Sequence, residues 1–136
     1  MRDHTKLKAF QLADRLALLT YNITAAFPRR EMFGLTSQMR RAAVSVPSNI
    51  VEGCARETIS DYVRFLGIAY GSTKELEYQA SLAQRLGFLQ SSAYGEFREL
   101  CVETAKTLNG LICALRTCSA TTHGPRVQVQ RLKPNA

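Results

Sequence analysis

Residues 36–55 are TSQMRRAAVSVPSNIVEGCA, and the fold turns on the proline at position 47. Inside a helix a proline removes one backbone hydrogen bond and crowds the carbonyl four residues back, which bends the helix without having to end it. Met39, Ala43, Val46 and Ile50 continue at spacings of three and four across Pro47, and no turn signal stands beside it. The spacing predicts one helix, with Thr36 as its N-cap, a kink between Ala43 and Pro47, and an end near Ala55 that Gly53 loosens.

Residues 5–26 carry Leu12, Leu16, Leu19 and Ile23 on one stripe and Phe10, Ala13, Ala17 and Thr24 on its neighbour, which predicts a first helix with a wide apolar face. Phe27-Pro28 ends it, because the residue before a proline is pushed out of the α region. Arg29 to Gly34 form a polar connection. A third helix opens at Thr58 to Ser60, where Asp61 favours the positive end of the helix dipole, and runs to Leu86 before Gly87 stops it. Ser91 or Ser92 caps a fourth, in which Tyr94, Phe97, Cys101, Thr104, Leu108, Leu111, Leu115 and Cys118 keep a heptad seam. Four helices, short connections and no convincing strand predict an all-α, antiparallel up-down four-helix bundle over residues 1–118. Residues 119–136 turn rich in Thr, Gly, Pro and Gln, with Arg126, Arg131 and Lys133 among them, and read as a disordered basic C-terminal tail.

The chain has 136 residues, 46% of them hydrophobic, enough for one domain with a proper core. Its longest uncharged stretch, Leu16 to Pro28, falls short of the ~18 apolar residues that cross a bilayer, so no membrane partner is expected and the cytoplasm is the expected location. Cys54, Cys101, Cys113 and Cys118 contain no C-x-x-C pair and have no nearby His to complete a zinc set, which predicts reduced thiols and no metal. His4 lies at the frayed start and His123 in the tail, where neither has the rigid setting of a general base. Without a nucleophile elbow, a phosphate-binding glycine loop or a carboxylate pair in a cleft, no catalytic residue and no cofactor are expected.

Helices two and three carry more apolar surface than one bundle can hide. At about 100° per residue, Met39, Ala43, Val46 and Ile50 face inward while Val44, Pro47 and Val51 form an adjoining stripe. On helix three, Phe65, Leu66, Ala69, Leu76, Ala80 and Ala83 form one face, and a second contains Ile68, Gly71 and Leu82. Gly67 and Gly71 each cost roughly 1 kcal/mol in a helix interior relative to Ala, a cost that close approach of a neighbouring backbone would offset. A second apolar stripe is most simply buried against another copy, so Val44, Pro47, Val51, Ile68, Gly71 and Leu82 are expected at a homo-oligomer interface. Ser45, Asn49, Glu52, Ser72 and Glu75 are expected to form a structural polar cluster beside it, with Arg41 or Arg56 neutralising a carboxylate.

The run Phe27-Pro28-Arg29-Arg30-Glu31-Met32-Phe33-Gly34-Leu35-Thr36-Ser37-Gln38-Met39-Arg40-Arg41-Ala42-Ala43-Val44-Ser45-Val46-Pro47-Ser48-Asn49-Ile50-Val51-Glu52-Gly53 resembles the bacterial four-helix-bundle family labelled S23 ribosomal protein. That family includes proteins encoded in intervening sequences of 23S rRNA genes. Phe65-Leu66-Gly67-Ile68-Ala69-Tyr70-Gly71-Ser72-Thr73-Lys74-Glu75-Leu76-Glu77 looks like its helix-three pattern, and Leu86-Gly87-Phe88-Leu89 like the turn that follows. The likeness spans residues 7 to 115. The family is similar in fold to the accessory variability determinant of diversity-generating retroelements, a basic pentamer that binds nucleic acid and its reverse transcriptase. The resemblance therefore implies a ring-like homopentamer.

Lys and Arg number 18 against 11 Asp and Glu, a net charge of +7, and five copies would carry about +35, enough to draw a polyanion. RNA or DNA is the expected partner, with Arg29, Arg30, Arg40, Arg41 and Arg56 contacting phosphates and Lys74, beside Tyr70, Tyr78 and Arg85, on a second stripe. No base-reading motif is present, which predicts binding with little sequence preference. The alternative is a scaffold that recruits a polymerase-type enzyme such as a reverse transcriptase. An enzyme using Glu52 or Glu75 as acid or base would need a cleft holding one of them without a cation partner.

Overall fold

The structure, a computed structural model, describes residues 2–118, with the last helix drawn on to Leu132; the expected tail, 119–136, lies outside the described residues. Four helices make the fold: α1 (Lys8–Thr24), α2 (Leu35–Cys54), α3 (Ile59–Arg85) and α4 (Ser91–Leu132), with short 3-10 turns at His4–Lys6 and Arg29–Glu31. Among the described residues there is no strand. Each helix packs on two neighbours, α1 on α2 and α4, α3 on α2 and α4, and among the described residues the backbones of the diagonal pairs stay apart. The core divides into two clusters that show the alternating direction. One joins Leu16 and Phe27 of the α1 end to Met39 near the start of α2, Ala83 near the end of α3 and Phe97 near the start of α4. The other joins Ala9, Ile50, Tyr62 and Ile112 from the opposite ends. This is the four-helix bundle that the periodicity predicts.

Pro47 sits inside α2, which continues through it from Leu35 to Cys54. Met39, Ala43, Val46 and Ile50 are all fully buried, so the apolar spacing across the proline outweighs its lost hydrogen bond. The start of α2 differs from the expectation. Gly34 is the N-cap, Thr36 is buried inside the first turn, and the Leu35 N–H is satisfied by the Glu31 carboxylate at 3.0 Å. Glu31 reaches back from the preceding turn and places a negative charge at the positive end of the helix dipole, which does the work expected of a threonine hydroxyl.

At α3 the capping reads as expected. The Thr58 hydroxyl accepts from the Asp61 N–H at 3.1 Å. At the other end Gly87 takes φ +82°, the Phe88 N–H bonds to the Ala83 carbonyl at 2.9 Å, and the Gly87 N–H bonds to the Gln84 carbonyl at 3.1 Å. That pair of bonds is the Schellman closure, and its left-handed residue favours glycine. Gly53 has a different reason. A Cβ there would stand 3.0 Å from Phe65 Cβ and 3.2 Å from Tyr62 Cδ1, so the glycine lets α3 cross close to the end of α2.

The seam of α4 is buried from Phe97 through Cys101 and Thr104 to Leu108, after which burial passes to Ile112. Leu111 and Leu115 are half-buried and Cys118 is exposed. A straight helix drifts about 20° per heptad from a 3.5-residue repeat, which moves the core position along by one. Thr20, Thr24, Thr73 and Thr104 are buried, and each returns its hydroxyl to the carbonyl four residues back at 2.7–2.9 Å. The core thus holds hydroxyls without stranding them.

Candidate nucleic-acid interface and oligomer faces

The six cations expected at a nucleic-acid surface divide between the two ends and the flanks of the bundle. Arg29 and Arg30 lie in the 3-10 turn between α1 and α2, where the Arg30 guanidinium sits 5.6 Å from the centre of the Phe88 ring. Arg40 is tied to α1: its Nε donates to Thr24 Oγ1 at 2.9 Å and its guanidinium lies 4.7 Å from the Tyr21 ring centre. Arg56 belongs to the opposite end, where it pairs with Glu52 at 2.7 Å and stacks on Phe65 at 4.8 Å. Lys74 is on α3, 3.1 Å from Glu77, which holds the ammonium form above its ordinary range. Among the described residues Arg29 and Arg41 make no such contact.

Two further arginines join Arg56 at its end. Arg2 lies 4.3 Å over the Tyr62 ring and donates to the Arg56 carbonyl at 2.8 Å, and Arg64 lies 4.4 Å over Phe65. A surface hollow of about 590 Å³ opens there, lined by Arg2, Ala55, Arg56 and Glu57. Sequence reasoning missed both. The Arg64-Phe65 neighbours were visible, but nothing in the sequence brings Arg2 to Tyr62.

The six expected interface residues fall on two separate flanks. Arg40 turns toward α1, and Val44, Pro47 and Val51 follow it at spacings of four, three and four, so they run along the edge of α2 next to α1. Val44 and Val51 remain 42% and 38% exposed. On α3, Ile68, Gly71 and Leu82 share the outer flank beyond Ser72, and Ile68 is 42% exposed. A Cβ at Gly67 or Gly71 would meet nothing within 4 Å inside the chain. No neighbour within the bundle accounts for either glycine.

Of the expected polar cluster, three members meet. Ser45 Oγ and Ser72 Oγ are 2.9 Å apart across α2 and α3, and Asn49 Nδ2 donates to the Ser45 carbonyl at 2.8 Å and to its hydroxyl at 3.0 Å. Glu52 makes no hydrogen bond to these three and is neutralised by Arg56, one of the two arginines expected to do so, and Glu75 stands exposed on α3. Nearby, Gln79 Oε1 is buried without a hydrogen-bond partner. Among the described residues no group of His, Cys, Asp and Glu has a metal-binding arrangement, and no helix is long and apolar enough to cross a membrane.

Two buried groups are shifted. Burial first, and then the hydrogen bond with Cys54, pushes the Tyr62 hydroxyl up to about 12, and burial with the nearby Glu77 charge pushes the Cys101 thiol up to about 12. The fold holds both groups neutral, whereas the unfolded chain ionises them at their ordinary values of 10.0 and 9.0. Their contribution is therefore complete below about pH 9 and is lost as pH rises toward 12. The melting temperature should hold level to about pH 9 and then fall, and Tyr62→Phe should flatten the part of the fall above pH 10. Melts across that range by circular dichroism check it.

The family model described as 23S rRNA-intervening sequence protein matches residues 5–110. In structure the chain is similar to a protein of unknown function from the S23 ribosomal protein family of Bacteroides thetaiotaomicron, with a TM-score of 0.71 and 22% identity over 76% of this chain and 94% of that one. At that identity the likeness speaks for the fold. No curated protein matches.

Proposed function

The chain belongs to the 23S rRNA-intervening sequence protein family, and from that membership we propose that it is a non-enzymatic, cytoplasmic, homo-oligomeric bundle protein that binds nucleic acid, RNA first, through phosphate contacts with little sequence preference. The observation that carries this reading is the surplus of cations left over after the bundle's own needs. Glu52, Asp61, Glu77 and Glu103 are taken by Arg56, Arg64, Lys74 with Arg98, and Lys8, while Arg29 and Arg41 remain unengaged in a chain of net charge +7. Unengaged guanidiniums on a basic surface suit phosphate oxygens, whose charge-assisted bonds set affinity without reading sequence.

The oligomer follows from the two flanks. Val44, Pro47 and Val51 lie on one edge of the bundle and Ile68, Gly71 and Leu82 on another, so one flank would meet the other flank of the next copy. Such head-to-tail contacts generate closed rings when the rotation closes, and the pentamer is the ring we propose. A bend of α2 at Pro47 would set the angle of its exposed edge.

Retention of labelled RNA and DNA across a salt series tests the binding. The affinity should fall steeply with salt, and the Arg29→Ala, Arg41→Ala double variant should lower the log–log slope by about 2, one per lost phosphate contact. Absence of retention at low ionic strength would end the proposal.

A further inference from the structure

We propose that Phe33 is a stacking platform for an unpaired base of single-stranded nucleic acid, with Arg29 and Arg30 holding the adjoining phosphates; this rests on the nucleic-acid reading above. Phe33 is 94% exposed and Met32 beside it 53%, yet the connection that carries them is firmly built. The Met32 N–H bonds to the Arg29 carbonyl at 3.1 Å, the Gly34 N–H to the Glu31 carbonyl at 3.0 Å, and Glu31 reaches the Leu35 N–H. Phe27, which opens the connection, is buried with its ring centre 5.8 Å from that of Phe88. A braced turn therefore holds out a phenyl ring that buries almost nothing, where its neighbour six residues earlier is packed away.

The charge around the ring selects its occupant. The Arg29 guanidinium has no hydrogen bond, ion pair or ring contact among the described residues, Arg30 rests over Phe88, and Arg85 closes α3 at the same end. Against these three cations stand two carboxylates, Glu31, which accepts from the Leu35 N–H, and Glu96 in the second turn of α4. A second copy brought to this end would set arginines against arginines, and the exposed valines and Ile68 that suit another copy lie along the flanks. An anionic ligand with flat apolar faces fits both features, because bases stack on aromatic rings while arginines track the backbone. Bases in a duplex are already stacked and paired, so a ring on a convex turn finds its partner in a single strand.

Fluorescence anisotropy across a salt series with labelled oligouridylate, oligothymidylate and an RNA duplex of the same length, together with analytical ultracentrifugation, tests the assignment, using the full chain. Phe33→Ala should weaken both single-stranded probes about ten-fold, the effect of losing one stacked base, and leave duplex binding, the salt slope and the sedimenting mass unchanged. Phe33→Trp should restore the single-strand affinity. Binding by the unaltered protein with no change in Phe33→Ala, or an equal loss on duplex and single strand, overturns this assignment alone. A change in sedimenting mass overturns it in favour of a contact between copies. Failure of the unaltered protein to bind any probe at low salt removes the nucleic-acid reading and this assignment together.

Discussion

Phe97→Ala is expected to lower the unfolding free energy by about 3–5 kcal/mol, the usual result of emptying a fully buried phenylalanine site. Phe97 is the bulkiest of the side chains with no more than 2% exposure, and it belongs to the cluster that ties all four helices together near the α1–α2 and α3–α4 connections. Leu16, Met39 and Leu76 in the same cluster are themselves fully buried, and a packed core closes only partly over a lost ring. Domains are stable by about 5–15 kcal/mol, so this single change removes a large part of the total, and thermal melts should shift by roughly 10–20 °C. Glu96→Ala, one residue earlier and exposed, supplies the control and should stay within about 0.5 kcal/mol. A loss below 1 kcal/mol for Phe97→Ala, by urea titration, would show that the four helices do not share this core.

The fold was legible because local rules and tertiary packing agree along most of the chain. The inner stripes of α2 and α3 read from spacing are buried, those of α1 are buried at Leu12, Ala13, Leu16 and Thr24 and half-buried at Phe10, Ala17, Leu19 and Ile23, Thr58 caps α3, and Gly87 ends it in the left-handed conformation. Pro47 read correctly as an interior residue because the apolar spacing continues across it. The start of α2 was misread because a carboxylate four residues upstream can do the work of a hydroxyl at the cap, and sequence shows the hydroxyl more plainly. The candidate surface was less legible. A single cationic face would need Arg29, Arg40, Arg56 and Lys74 to converge, but Arg56 follows the far end of α2 and Lys74 stands midway along α3, and pairing decides which are free. Arg40 engages Tyr21 and Thr24, contacts between helices that no spacing along α2 contains. Arg2 at Tyr62 is the same case over a longer range.

Charging either flank should dissolve the proposed ring without unfolding the bundle, and mixing the two kinds of variant should restore one contact. Val44 and Ile68 are each 42% exposed and on different edges, so a glutamate at either position meets water in the isolated chain and should cost the fold within about 0.5 kcal/mol. At an interface the same carboxylate would be buried without a partner, and removing an unpaired charge from water costs several kcal/mol per ion. Since every 1.4 kcal/mol is ten-fold, each junction should weaken by roughly a hundred-fold or more, enough to leave Val44→Glu and Ile68→Glu as monomers by analytical ultracentrifugation. The two variants carry opposite defects. A Val44→Glu copy keeps a sound α3 flank, and an Ile68→Glu copy keeps a sound α2 edge, so an equimolar mixture has one productive junction and should sediment as a one-to-one dimer that grows no further. A junction that pairs like flanks behaves otherwise, because Val44→Glu would then find its α2 edge spoiled in every partner of its own kind and the mixture would hold no mixed dimer. Head-to-tail geometry is what distinguishes a ring from a two-fold dimer, and a mixture that stays monomeric, or a Val44→Glu variant that keeps its full mass, would remove the ring and leave the cations to act from single bundles.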